Sequence, residues 1–179
     1  MPGAKTSLVR RIVLIDGRSG AGKSTLASAL ASELPGAYLL RLDEVYPGWH
    51  GLDRASAALP RILRTGAWRS WDWSADRPGQ WRRLPTGGLL VVEGVGALSR
   101  QSRALADLAV WVELPERERQ RRALARDGER YAPYWRMWAA QECRFIARDR
   151  PTQLADAILS ASDARASLAA LRRLIRPFR

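Results

Sequence analysis

Apolar runs, broken by glycine, proline and acidic residues, divide the chain into short strands that alternate with longer helices. Arg11-Ile12-Val13-Leu14-Ile15 is apolar without a helical period and reads as a short buried strand, and Leu26 to Leu34 reads as the helix after it. Pro35-Gly36 stops that helix. Ala37 to Leu42 predicts a second strand, ending at Asp43-Glu44. Leu89 to Val92 predicts a third, ending at Glu93-Gly94, and Leu108 to Leu114 a fourth. Ala155 to Leu159 is short enough for a fifth. Helical spacing covers Leu52 to Thr65, where Pro60 is expected to kink or divide the helix. It recurs in Leu98 to Leu105, Glu116 to Arg126, Pro133 to Arg148 and about Asp163 to Ile175. In the last of these Leu168, Leu171, Leu174 and Ile175 form one apolar face. Val45 to Gly51 is too rich in proline, glycine and aromatics for a regular element. Ala67 to Thr86 reads as an irregular stretch carrying Trp68, Trp71, Trp73 and Trp81, and a loop of that length inside a domain is usually functional. Strands alternating with helices predict an α/β fold, a parallel sheet of five strands with helices on both faces.

Composition changes this picture little. A chain of 179 residues that is 46% hydrophobic suits one domain spanning 1–179, with Met1 to Ser7 expected as a disordered tail. The formal charge of +12 is nearly all arginine scattered along the chain. It fits either a bias in base composition or attraction for polyanionic small molecules such as nucleotides. No compact basic and aromatic motif supports specific nucleic-acid binding. The single cysteine, Cys143, excludes an internal disulfide framework and points to a cytosolic chain. No run approaches the ~18 apolar residues of a membrane helix, and the first strand follows without a signal-peptide core. A cytoplasmic location with no membrane partner is the expectation.

The stretch between the first strand and the first helix carries the chemistry. Gly17-Arg18-Ser19-Gly20-Ala21-Gly22-Lys23-Ser24-Thr25 has the order Gly, four residues, Gly, Lys, Ser in which backbone N–H groups cradle phosphates. Gly17, Gly20 and Gly22 permit backbone angles and approaches that a Cβ forbids. The following helix adds the positive end of its dipole. Lys23 is placed to reach the β- and γ-phosphates, and Ser24 to put a hydroxyl on Mg²⁺. Lys5 and Lys23 are the only lysines, which makes a chance match less frequent still. A dinucleotide fingerprint does not fit, because Thr25 stands where its third glycine belongs. Arg122 and Arg126, spaced i, i+4, share a helical face. They serve either as lid cations for a phosphate or as a solvated charged face.

Together Ile15-Asp16-Gly17, the glycine-rich loop, Asp43-Glu44-Val45-Tyr46, Trp71-Asp72-Trp73, Val92-Glu93-Gly94 and Arg121 to Asp127 resemble the small P-loop kinases, most closely the uridine-kinase-like branch. The resemblance covers most of the chain and implies the P-loop NTPase three-layer sandwich with a short arginine-rich lid at about 116–130. It also implies an ATP- and Mg²⁺-dependent kinase of a small-molecule acceptor. By this resemblance Asp43 lies beside the acceptor hydroxyl as base, with Glu44 in reserve, and Glu93 faces the metal or the substrate. Ser24, Asp43 and Glu93 are then the metal-side oxygens. Asp72 and Trp73 are presented to the acceptor, with Tyr46, Trp49 and Arg77 lining its pocket. A nucleoside hydroxyl is the leading acceptor. A nucleotide, sugar acid or vitamin precursor is the alternative, and a nucleotide-operated switch with weak NTPase activity is a second class. The guanine-reading Asn-Lys-x-Asp pattern is missing.

Overall fold

In the computed structural model, which describes residues 10–175, Ile12 to Ile15, Leu90 to Val92 and Leu108 to Val112 become strands covered on both faces, while the last strand leaves Ile158 exposed. The expected tail Met1–Ser7 lies outside the described residues. The order is β1 (Arg11–Asp16), α1 (Lys23–Glu33), β2 (Tyr38–Arg41), α2 (Leu52–Thr65), β3 (Ala67–Asp72), β4 (Arg77–Arg83), β5 (Leu89–Glu93), α3 (Arg100–Arg103), β6 (Leu108–Glu113), α4 (Glu116–Asp127), α5 (Trp135–Asp149), α6 (Pro151–Leu154), β7 (Ala157–Ser160) and α7 (Ala164–Ile175).

Successive side chains of a strand point to opposite faces, so the buried run of β1 feeds two cores. Ile12 and Leu14 join Leu59, Ile62 and Phe145 of α2 and α5. Val13 and Ile15 join Leu26, Leu30, Leu171 and Ile175 of α1 and α7. The sheet order is β2-β5-β1-β6-β7, all pairs parallel. This is the expected α/β three-layer arrangement with five parallel strands. The register sets Ile15 beside Glu93 and Asp16 beside Trp111. The carboxyl ends of β1, β2 and β5 therefore meet at one edge of the sheet, where ligands of open α/β sheets collect.

Several expected elements change. Ala67 to Thr86 is not irregular: β3 and β4 form an antiparallel hairpin, with a register shift between Arg69 and Trp71. It has no period-2 apolar signature because Trp68 alone is fully buried in β3 and nothing is buried in β4. Pro60 does not divide α2, which runs unbroken through it. Burial of Leu52, Ala55, Leu59, Ile62 and Leu63 offsets the hydrogen bond that proline cannot donate. The helix expected over Leu98 to Leu105 shrinks to α3, started by a capping box of Ser99 and Ser102. The last strand of the sheet is Ala157–Ser160, shifted from Ala155–Leu159. Among the described residues no helix is long and apolar enough to cross a membrane.

Candidate active site

The glycine-rich loop fits its place only as glycine. Gly17 has φ +151°, and a Cβ there would stand 2.3 Å from the Val112 carbonyl oxygen of β6. Gly20 has φ +79°, and its Cβ would stand 2.0 Å from the Arg119 carbonyl oxygen of α4. The loop is thus pressed on two sides against main chain that cannot retreat. Gly22 caps α1 in the left-handed region and offers no side chain to its first amides, the arrangement in which a helix N-terminus can accept an anion. Lys23 is buried, and its Nζ donates to the Arg18 carbonyl oxygen at 3.1 Å.

Three side chains outside the motif hold the loop. Asp16 is fully buried and accepts N–H bonds from Gly17 at 2.6 Å, Gly96 at 3.2 Å and Leu98 at 2.8 Å. These bonds tie β1 to the segment after β5. Burial pushes the Asp16 carboxyl up to about 7, against the pull of the Leu98 and Gly17 amides and the Lys23 charge. Arg119 donates to Leu114 O at 3.0 Å and to Ser19 O at 3.3 Å. Glu142 of α5 accepts from Ser19 N at 2.8 Å.

The loop opens into a cavity of about 630 Å³, lined on the loop side by Ser19, Gly20, Gly22, Lys23, Ser24 and Thr25. Asp43, Arg41 and Glu93 line it at the ends of β2 and β5. Glu93 is 2% exposed. Burial raises its pKa; Lys23, the Ser24 hydroxyl and Arg41 oppose that rise, and the Asp43 charge adds to it. Its Oε1 is buried, has no hydrogen-bond partner among the described residues and forms an ion pair with Arg41 Nε at 3.7 Å. A carboxylate oxygen left without a hydrogen bond beside a hydroxyl and a second carboxylate is a donor set of the hard oxygen type that suits Mg²⁺. Among the described residues no three His, Cys, Asp or Glu side chains converge on a metal, so such a cation would need oxygens from a ligand or water.

Aromatic rings form the remaining wall. Trp49 lies parallel to Tyr134, with centroids 4.4 Å apart, and to Tyr131 at 5.5 Å. It meets Trp73 edge-on at 5.0 Å. Tyr46 is buried, donates its hydroxyl to Val95 O at 2.8 Å and packs edge-on to Trp138. Burial and the nearby Asp43 charge hold the Tyr46 phenol well above its usual range. Trp73 Nε1 donates to the Asp43 carbonyl oxygen at 2.7 Å, which fastens the hairpin to the acidic end of β2. A Trp73→Phe variant keeps the aromatic face and loses that bond. Its stability should fall by about 0.5–1.5 kcal/mol, the usual worth of one hydrogen bond, read in a thermal melt; equal melting temperatures would show that the bond fastens nothing.

Not every expected residue reaches the cavity. Asp72 and Arg77 sit at the hairpin turn. Asp72 Oδ1 accepts from Ser74 N at 3.0 Å, Ser74 Oγ at 2.6 Å and Ala75 N at 3.2 Å, and these bonds hold its carboxyl below the usual range. Aspartate at such a position closes the turn with its own side chain. Arg77 pairs with Asp72 across the two strands. Arg122 and Arg126 also separate: Arg126 lines the cavity, whereas Arg122 binds Glu118 at 2.9 Å and Ala161 O at 3.4 Å behind Gly22. Arg41, Arg130, Tyr131 and Trp138 line the cavity unforeseen. Arg130 lies beyond the end of α4, past Gly128 at φ +52°, so helical spacing did not signal it.

No family model matches the chain, and no curated protein matches it by sequence. Among solved structures it is similar to a possible uridine kinase from Bacillus stearothermophilus, with 18% identity and a TM-score of 0.56, over 87% of this chain and 91% of that one. It is also similar to the shikimate kinase from Bacteroides thetaiotaomicron, with 15% identity and a TM-score of 0.55, over 93% of this chain and 98% of that one. The chain shares the fold of these two kinases.

Proposed function

We propose that the protein is a small-molecule kinase that moves the γ-phosphoryl group of ATP to an acceptor hydroxyl, with a nucleoside as the first acceptor to test. The observation that carries this reading is one cavity lined by the phosphate loop, the Asp43 carboxylate and the Tyr46, Trp49 and Trp73 rings. Two structural neighbours, named as a possible uridine kinase and a shikimate kinase, support the reaction class by analogy of fold.

In this reading the loop amides and Lys23 bind the β- and γ-phosphates. Asp43 orients the acceptor hydroxyl and takes its proton while the new O–P bond forms. The bond from the γ-phosphorus to its bridging oxygen breaks, and ADP leaves. Arg126 and Arg130 face the charge that spreads over the transferring group, where a guanidinium lowers the transition state more than the ground state. The oxygens of Ser24, Asp43 and Glu93 would hold Mg²⁺, which when bound neutralises phosphate charge. The aromatic wall offers flat faces to a base.

The test is ADP formation from Mg·ATP against a panel of nucleosides, nucleotides, sugar acids and vitamin precursors, with an acceptor-free control. One acceptor-dependent signal names the substrate. Slow hydrolysis that no acceptor accelerates would instead favour a nucleotide-operated switch.

A further inference from the structure

Glu142 is 1% exposed, and both of its carboxylate oxygens are committed to the phosphate loop. Oε1 accepts the Ser19 N–H at 2.8 Å, and Oε2 accepts Arg18 Nε at 2.9 Å. A carboxylate is kept this far from water only when it is paired and hydrogen-bonded. On the same turn of α5 Gln141, 3% exposed, donates Nε2 to the Trp49 carbonyl oxygen at 2.8 Å. Trp138, one turn earlier, sets its ring edge-on to both Trp49 and Tyr46. One stretch of helix therefore grips the phosphate loop with one side chain and the aromatic wall with two others.

We propose that Glu142 is a positioning residue that holds the phosphate loop in register with the aromatic wall, so that occupancy of the loop is transmitted through α5 to Trp138 and Trp49. The proposal rests on the nucleotide reading of the loop. A polyphosphate entering the loop brings negative charge towards the carboxylate that already holds Ser19, and so changes the load on that bond. Because α5 is a continuous helix, the change reaches Gln141 and Trp138 on adjoining turns. By linkage, filling the aromatic side must alter nucleotide affinity by the same factor as nucleotide alters affinity on the aromatic side.

The experiment is fluorine NMR of the full chain labelled with 5-fluorotryptophan, titrated with Mg·ADP. The resonances of Trp49 and Trp138 are assigned through Trp49→Phe and Trp138→Phe, and nucleotide binding is followed separately by calorimetry. In the wild type both resonances should shift on binding. In Glu142→Gln, which keeps the size of the side chain but cannot accept from both Ser19 and Arg18, Mg·ADP should bind while the Trp138 shift disappears. A direct effect of bound nucleotide on the ring would survive this substitution, and an unchanged Trp138 shift would overturn the proposal. Gln141→Met removes one of the two contacts of α5 with Trp49, so the Trp138 shift should remain while the Trp49 shift falls to the part that the Trp138 ring passes on. An undiminished Trp49 shift overturns the coupling through Gln141 even if Glu142→Gln fails to fold or to bind. Mg·ADP binding by the wild type without either shift overturns the coupling alone; no binding at all overturns the nucleotide reading and the proposal with it.

Discussion

Lys23→Ala is expected to lower phosphoryl transfer by at least ~100-fold, the scale of losing one preorganised electrostatic contact to a transition state, while the chain remains folded. The Lys23 ammonium lies at the first turn of α1 with Nζ 3.1 Å from the Arg18 carbonyl oxygen, and it is 7% exposed. A cation so shielded acts on nearby charge with little screening. It already draws the pKa values of Asp16 and Glu93 downwards. Its removal leaves Glu93 with Arg41, Ser24 and a raised tendency to hold a proton. Turnover in the coupled ADP assay and a circular-dichroism melt decide the matter together. An intact melt with activity within three-fold of wild type would remove the loop from the reaction.

Asp43→Asn is the second large effect. Nucleotide affinity should stay close to wild type, while kcat falls by at least ~100-fold, as for a positioned base. The substitution preserves shape and leaves the backbone where Trp73 Nε1 holds it, so the loss would fall on proton acceptance. The Asp43 charge also bears on Glu93 and Tyr46, raising the pKa of both. Its neutralisation should therefore ease ionisation of Glu93, while the loss of one carboxylate from the proposed Mg²⁺ oxygens should raise the Mg²⁺ concentration needed for half-maximal rate. Calorimetry with Mg·ADP beside single-turnover kinetics separates the two effects. Normal single-turnover rates would show that another group takes the proton.

The loop was legible because phosphate chemistry dictates its residues at fixed spacing. The acids after β2 and β5 were legible because a buried apolar run ends at each. The strands of the sheet were readable for the same reason: β1, β5 and β6 are covered on both faces, and their sequences carry no polar alternation. The hairpin was not, since only Trp68 among its residues is fully buried and exposed strands carry little pattern. Asp72 illustrates a different failure: its type and neighbours suit a substrate contact, but a short-range turn claims the carboxylate first. Arg41, Tyr131, Trp138 and Glu142 come from distant segments brought together by tertiary packing, which no local spacing encodes. Arg122 does not line the cavity but pairs with Glu118, one helical turn before it, close behind Gly22.

The hairpin that the apolar pattern failed to reveal is also where the chain has most freedom to diverge. Strand β4 buries no residue, and one bond from Trp73 joins the hairpin to the acid beside the phosphate loop. Substitutions in β4 thus escape the packing penalties that freeze the sheet. Away from Trp68, which is held in the core, and Trp73, which borders the cavity, the ribbon can drift without disturbing either.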